Sequence, residues 1–454
     1  MVLARLLTPY EFGVASTATV LLAFLTILTD VGFGPAVIQR TDLNQDDLDN
    51  IFSFTALLGL ILGLISFGSS WIIASFYGNE LLRPVVQILS VGLFLSSLNI
   101  VPAALMRKNL RFKEMATRSV AFSVFFGIVG VVSAFLGAGV YALVFPQVLS
   151  SLCTFFYNNH FYPVKLRKHL SFEPIKRIFS YSIYVFLTNF GNYLGRNLDK
   201  LIIGKSISQD ALGYYDKSYR LMQLPMSYIS SVFAPVLQPI FASLQDNKKE
   251  IGNKYAKVVS FIASLAFPAA VVLYYAAEDI IVVMFGEAWI PSVPVFKILA
   301  LSIPITLMCS PNGAVYMACN ATKEMFWLSI IGLPFFFAVY AYAAILGKSI
   351  EAFGWAWVFN ELFGFCVSYY VLYYRVMHST LWPVFKGLIW PFLGGVALII
   401  LYNIFNAFFP IGNHLVQMVL KLGIGGLFVL LFLKITGQFD VFSFIRIKVF
   451  KKKT

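Results

Sequence analysis

The residues of this chain best placed to do chemistry sit in two consecutive segments. The first reads Asn189-Phe190-Gly191-Asn192-Tyr193-Leu194-Gly195-Arg196-Asn197-Leu198-Asp199-Lys200, with Asn189, Asn192, Arg196 and Lys200 at i, i+3, i+7 and i+11. In a helix that spacing makes one face. The second reads Tyr214-Tyr215-Asp216-Lys217-Ser218-Tyr219-Arg220-Leu221-Met222-Gln223, with Asp216, Tyr219, Arg220 and Gln223 sharing a face. Arg196, Lys200, Lys217 and Arg220 set against Asp199 and Asp216 leave the cluster two charges positive. Guanidinium forks match phosphate oxygens two at a time. The chemistry on offer is therefore capture of an anionic, phosphate-bearing group, with Asn189, Asn192 and Gln223 as further polar contacts. An alternative stays open. Arg196 with Asp199, and Asp216 with Arg220, could close ion pairs within their own helices, while Lys200 and Lys217 reach outward.

The elements that must position these residues follow from composition. Of 454 residues, 59% are hydrophobic and 12% charged, and the mean hydropathy is +0.80. A soluble domain carries about 25% charged residues. Half that charge cannot cover a water-facing globule of this length, so the chain reads as a multi-pass membrane protein and a soluble enzyme is excluded. With Pro, Gly and charge clusters as stops, thirteen spans emerge: 13–38, 51–77, 84–106, 118–138, 140–160, 178–203, 211–243, 255–276, 292–319, 325–346, 351–374, 384–408 and 415–434. Helices are expected, because each backbone polar group must be satisfied within its own segment. Counted over alternate loops, Lys and Arg divide 24 to 4, which places the richer side and the C-terminus in the cytoplasm. The net charge of +13 thus reports orientation, and nucleic acid is not an expected partner. Neither a sizeable soluble loop nor a Walker-type phosphate loop occurs.

The chain also repeats itself. Segment 113–137 aligns with 323–347 at an offset of 210, identical at ten of 25 positions, including Lys113-Glu114-Met115 with Lys323-Glu324-Met325. Shared apolar composition gives roughly two or three. At an offset of 200 a weaker match joins Gly13/Gly213, Leu21/Leu221, Phe33/Phe233 and Pro35/Pro235. Both pairs lie in one membrane orientation, the sign of a parallel repeat. The expected architecture is all-α and polytopic: two pseudo-symmetric lobes, 1–162 and 163–376, followed by two extra helices and a basic tail over 377–454. Span 178–203 has no full counterpart in the first half, so a first transmembrane helix is expected to be missing from the chain as given. Two such lobes commonly rock about a cavity, which points to transport.

Other ionisable groups at membrane depth are candidates by position alone. Asp30, beside the Gly32-Phe33-Gly34-Pro35 break, is a possible coupling-ion site or the residue that orders the break. Glu361, mid-span, is a possible proton-coupling group or a helix contact. Lys297 and Lys421 are expected to snorkel. The tail from Arg446 through Lys448 to Lys451, Lys452 and Lys453 suits anionic lipid. Cys153, Cys309, Cys319 and Cys366 read as packing residues. No spacing suggests a metal or a cofactor.

Two stretches carry a family resemblance. Leu6-Leu7-Thr8-Pro9-Tyr10-Glu11-Phe12-Gly13 with Asp30-Val31-Gly32-Phe33-Gly34-Pro35-Ala36-Val37-Ile38-Gln39-Arg40 resembles the opening of Wzx-type polysaccharide flippases. Arg196-Asn197-Leu198-Asp199-Lys200-Leu201-Ile202-Ile203-Gly204 with Leu212-Gly213-Tyr214-Tyr215-Asp216-Lys217-Ser218-Tyr219-Arg220-Leu221-Met222-Gln223-Leu224-Pro225 resembles their middle. These proteins belong to the multidrug/oligosaccharidyl-lipid/polysaccharide exporter superfamily. The resemblance implies two six-helix lobes plus two helices in a bacterial inner membrane. It implies translocation of undecaprenyl-diphosphate-linked oligosaccharide repeat units between leaflets for surface polysaccharide (lipopolysaccharide or exopolysaccharide), with polymerase and chain-length proteins as possible partners and no enzymatic step. It also implies a cationic cavity, carried here onto Arg196, Lys200, Lys217 and Arg220. A cation-coupled multidrug exporter is the alternative, though it calls for an acidic cavity. An integral membrane polymerase or transferase would need acid/base groups in larger outside loops.

Overall fold

The computed structural model describes residues 1–167, 169–242, 247–409 and 412–437. The expected tail cations from Arg446 onward lie outside them. Among the described residues the elements are helices. In order they are α1 (Val2–Leu6), α2 (Pro9–Asp30), α3 (Phe33–Gln39), α4 (Gln45–Tyr77), α5 (Leu82–Leu98), α6 (Ile100–Lys108), α7 (Phe112–Phe135), α8 (Tyr141–Phe161), α9 (Glu173–Ser206) and α10 (Gln209–Ala242). There follow α11 (Lys248–Tyr275), α12 (Ala277–Phe285), α13 (Val293–Ala300), α14 (Ile303–Cys309), α15 (Asn312–Ala318), α16 (Thr322–Tyr342), α17 (Ile350–Tyr370), α18 (Trp382–Phe408) and α19 (His414–Ile435).

Seven helices among the described residues are long and apolar enough to cross a membrane, or up to nine if each of two bent pairs is one span. The pairs are α5 with α6, bent by 41°, and Glu287–Ala300 with Ile303–Ala318, bent by 48°. The expected spans 140–160, 178–203, 211–243 and 351–374 also form helices, α8, α9, α10 and α17. Among them, α9 and α10 carry the candidate site residues and α17 carries Glu361. The expected span 13–38 is two helices, α2 and α3, separated by Val31 and Gly32, both in the left-handed region.

The chain divides into two compact units, Met1–Asp216 and Lys217–Thr454, with the boundary inside α10. The sequence repeat places its own boundary at 162/163, before α9. Unit one is built on two apolar clusters. One joins Val14 and Ala18 of α2 to Val85, Val86 and Val144; the other joins Phe33, Val37, Ile51, Val101 and Ile178. Small residues let helices approach where lipid offers no hydrophobic driving force. Between α4 and α5 the Ser90 hydroxyl donates to Ser66 Oγ at 2.9 Å and Gln87 donates to Ser70 at 3.2 Å. In unit two the main cluster is centred on Tyr255, Val259, Val315, Leu372 and Tyr373.

The repeat at offset 210 is written in the backbone. Leu110 and Asn320, equivalent positions, both take φ of 56°. Each ends a helix in the same hydrogen-bond pattern. Leu110 N–H donates to Arg107 O and Arg111 N–H to Met106 O, as Asn320 N–H donates to Met317 O and Ala321 N–H to Tyr316 O. This left-handed C-terminal closure satisfies orphan carbonyls and turns the chain into α7 or α16.

The weaker repeat, at offset 200, is equally visible. A Cβ on Gly13 would stand 1.8 Å from the Gln209 carbonyl oxygen, and one on Gly213 would stand 2.0 Å from the Pro9 carbonyl oxygen. The four residues are two equivalent pairs, so the first turns of α2 and α10 cross in a contact that is the same read from either helix. Only glycine permits backbone to meet backbone this closely.

Candidate functional site

The start of α2 is held by a capping box: Glu11 N–H donates to Thr8 Oγ1 at 3.3 Å and Thr8 N–H donates to Glu11 Oε2 at 2.7 Å, with Pro9 in the first turn. The start of α10 is held by Ser208, whose hydroxyl accepts from Ala211 N–H at 3.1 Å. With both first turns capped, the Gly13/Gly213 crossing fixes the start of α10 against α2. Thr17 on α2 adds a hydroxyl that donates to Gln209 Oε1 at 2.8 Å. The turn between α9 and α10 then brings Asp199 and Lys200 of α9 against Tyr215 and Asp216 of α10.

The structure sorts the expected site residues into three groups. Arg196 and Arg220 are exposed, as are Asn189 and Asn192. Among the described residues no carboxylate forms an ion pair with Arg196, so the helical pairing with Asp199 is not made. The second group is buried. Lys200 Nζ lies 3.0 Å from Asp216 Oδ1. Asp199 accepts the Tyr215 hydroxyl at 2.7 Å and the Lys200 backbone N–H at 2.8 Å. In the third group, Lys217 is half-buried, its ammonium 5.6 Å from the centre of the Phe285 ring and 5.8 Å from that of Trp289. Gln223 donates to Tyr219 Oη at 2.8 Å, and Tyr219 packs edge-on to Trp357. The guanidinium groups of Arg196 and Arg220 are therefore the exposed cations of the set. Lys200 is tied to Asp216, and Lys217 lies over aromatic faces.

The other candidates are placed as follows. Asp30 accepts the Gly34 N–H at 2.9 Å, bridging the left-handed break to the first turn of α3. That is the arrangement expected of a residue that orders the break. Glu361 on α17 accepts the Thr306 hydroxyl of α14 at 2.8 Å, a helix-to-helix contact. Lys297 lies with its ammonium 5.6 Å from the Tyr274 ring centre.

Lys421 corrects the expectation of snorkelling. It is buried, and its ammonium lies 2.6 Å from Asp279 Oδ2, while His414 Nδ1 meets the other carboxylate oxygen at 2.8 Å. The three residues bind α19 to α12. Sequence reasoning missed this group because no spacing along the chain connects 279 with 414 and 421. The usable signal was a lysine inside an otherwise apolar helix, which either reaches a surface or meets a buried acid. It missed Tyr215 as the partner of Asp199 for a related reason: a tyrosine looks like ordinary packing until its hydroxyl is placed.

Comparison with known proteins bears on what this arrangement serves. Residues 2–294 match the model of a family described as polysaccharide biosynthesis protein. Among curated relatives, the teichuronic acid biosynthesis protein TuaB of Bacillus subtilis (strain 168) is 26% identical over 377 residues, covering 82% of this chain and 77% of that one. The succinoglycan biosynthesis transport protein ExoT of Rhizobium meliloti (strain 1021) is 23% identical, covering 87% and 77%. The lipopolysaccharide biosynthesis protein WzxC of Escherichia coli (strain K12) is 23% identical, covering 70% and 65%. Among solved structures, the lipid II flippase MurJ in an inward closed conformation superposes with a TM-score of 0.73 at 15% identity, covering 97% of this chain and 94% of that one. An inward-facing multidrug resistance transporter of the MATE family gives 0.61, also at 15% identity, covering 81% and 92%. The fold is of the MurJ and MATE kind.

Proposed function

The chain belongs to the polysaccharide biosynthesis protein family, and we propose that within it this protein is a flippase for lipid-linked oligosaccharides. The substrate would be an undecaprenyl-diphosphate-linked repeat unit, turned from the inner to the outer leaflet of a bacterial inner membrane by alternating access. The C-terminus would lie in the cytoplasm. In this reading the protein carries out no bond chemistry; its work is to bind a charged head group and pass it across the bilayer.

The observation that carries the reading is the exposed guanidinium group of Arg196 on α9, a segment the sequence reads as membrane-spanning, in a fold shared with a lipid II flippase; Arg220 on α10 is also exposed. An exposed arginine there is costly unless it meets water or an anion, and a diphosphate supplies two sets of oxygens for bidentate capture. Asn189, Asn192 and Gln223 would add sugar or phosphate contacts. Lys200 and Lys217 would act at longer range, since each already has a partner. Asp30 and Glu361 remain coupling candidates, although the helix-ordering contacts they make account for their placement.

The names of the relatives support a polysaccharide substrate, and the basic character of the cluster favours an anionic cargo over cationic drugs. Arg196→Ala and Arg220→Ala, expressed in a strain lacking the native gene, are expected to abolish surface polysaccharide while membrane abundance stays at the level of the unmodified protein. Full export by both variants would remove the site assignment.

A further inference from the structure

Away from the cluster on α9 and α10, one arginine is held in place by neutral groups. Arg118 lies six residues into α7, about 9 Å along a helix long and apolar enough to cross a membrane. It is half-buried. Its guanidinium donates to Asn158 Oδ1 of α8 and lies 5.9 Å from the centre of the Tyr157 ring. Both supports are themselves anchored. Asn158 is fully buried, and its amide donates to Asn99 Oδ1 at 2.8 Å, at the 41° bend between α5 and α6. The Tyr157 hydroxyl donates to the Glu114 carbonyl oxygen at 3.4 Å. Arg118 is thus aimed by its neighbours, unlike a side chain that only snorkels. Among the described residues no carboxylate forms an ion pair with it. Glu114 pairs with Arg111 at 2.9 Å, and Asp30 accepts the Gly34 N–H at 2.9 Å. The charged group that acts on Arg118 is Arg107 of α6, a like charge. The fold does not require the arginine. At the offset of 210 its counterpart is Leu328, in a helix entered from the same left-handed turn.

We propose that Arg118 is a binding site for the phosphate of an anionic lipid head group, in the leaflet that the loop charges assign to the cytoplasm. A guanidinium carries five N–H donors, and Asn158 engages one of its nitrogens, which leaves donors for an oxyanion. An arginine in a membrane-facing helix is costly without an anion, and a phosphate there offsets both that cost and the repulsion from Arg107. The apolar residues beside it favour a lipid over free phosphate. Phe122 and Phe125 follow Arg118 at i+4 and i+7, on the same face and deeper along the span. Phe122 packs edge-on to Tyr157, and Phe125 is exposed. A head group held at Arg118 would lay its acyl chains along that face. The site stands apart from the flippase reading, since it needs no repeat unit and uses neither Arg196 nor Arg220.

The test counts bound lipid. Native mass spectrometry of the purified full-length protein in detergent follows binding of phosphatidylglycerol, with phosphatidylcholine and inorganic phosphate as separate arms. Arg118→Leu, which installs the residue of the other repeat, is expected to weaken phosphatidylglycerol binding roughly tenfold and to leave phosphatidylcholine binding unchanged. Arg118→Lys keeps the charge and the apolar stem, so it serves if the leucine variant does not fold. One ammonium in place of the fork is expected to weaken binding by a smaller factor. Lys113→Gln removes an exposed cation from the preceding turn of α7 and is expected to bind as the unmodified protein does. Unchanged phosphatidylglycerol binding in both Arg118 variants would overturn the proposal. Equal losses in Arg118→Leu and Lys113→Gln would overturn it too, because the lipid would then answer to the overall charge of the turn. Inorganic phosphate that displaces the lipid at equal concentration would assign the site to free phosphate and remove the lipid from it.

Discussion

Helices α2 and α10 occupy equivalent places in the two repeats and differ where it counts. Both begin with a hydroxyl residue, Thr8 or Ser208, and both carry the glycine of the crossing, Gly13 or Gly213. Beyond that first turn they diverge. Where α10 has Asp216, Lys217, Arg220 and Gln223, α2 has Ser16, Thr17, Val20 and Ala23. The backbone contact is symmetric and the charge is not. A symmetric crossing needs only matched glycines and caps. A binding surface needs charge, and each buried charge needs a partner, so it is less costly to build the polar layer once. The comparison teaches that the repeat supplies the geometry and a single copy supplies the chemistry.

The sharpest way to break that comparison is to remove the equivalent residues at the first position after the glycines where α10 carries a charge. Asp216→Ala leaves the Lys200 ammonium buried without its partner, and losing one member of a buried pair costs roughly 3 to 5 kcal/mol. Ser16→Ala removes a buried hydroxyl that has no hydrogen-bond partner among the described residues. Its expected effect is about zero or slightly stabilising, because no bond is lost and a desolvated group is deleted. Thermal melting of the purified proteins measures both. Equal effects would mean that α10 is no more electrostatically committed than α2.

The crossing should respond in the opposite way, with the two helices behaving alike. Gly13→Ala and Gly213→Ala each drive a methyl group into a carbonyl oxygen of the partner helix, at 1.8 and 2.0 Å. Overpacking of that kind costs about 1 to 3 kcal/mol. Because both methyls strike one contact, the double variant should cost less than the sum of the singles. Additive losses would show that the two glycines serve separate contacts.

How much of this was legible in the sequence follows from the range of the interactions. Helices, their approximate ends, the Gly/Pro break after Asp30 and the repeat were readable, because periodicity and punctuation are local. Gly13/Gly213 was readable as a match but not as a contact, since an aligned pair says nothing of what each glycine touches. The basic residues of the two segments were readable in the sequence, yet the division into exposed Arg196 and Arg220 and buried Lys200 was not. Helical spacing puts Arg196 and Lys200 on one face, but it cannot say how deep a neighbouring helix covers that face. The Asp279–Lys421–His414 group was beyond reach for the same reason, with Asp279 lying 135 residues from His414 and 142 from Lys421 in the chain.

The functional side of the asymmetry sets an unchanged abundance against a lost phenotype. Arg220 is exposed while its counterpart Val20 is buried. Arg220→Val, which gives α10 the residue of α2, should leave membrane abundance at the level of the unmodified protein. Surface polysaccharide should nevertheless fall to the background of the deletion strain. Retained export would show that the residue special to α10 is not the one that carries function.

The smallest expected effect concerns the second pair of equivalent positions, and it tests whether the repeats share geometry at the cost of local strain. Leu110 and Asn320 hold the same left-handed φ of 56°, at the end of the same hydrogen-bonded turn. Asparagine enters that region readily, whereas the leucine Cβ crowds the following carbonyl oxygen. Leu110 is 72% exposed, so its side chain contributes little packing to offset the strain. Leu110→Asn is therefore expected to stabilise by roughly 0.5 to 1 kcal/mol, and Asn320→Leu to destabilise by a similar amount. Opposite shifts in melting temperature for the two exchanges would mean that the turn was kept in both halves against the preference of one of its own residues. If neither exchange shifts it, the left-handed turn at 110 is not held in the folded protein.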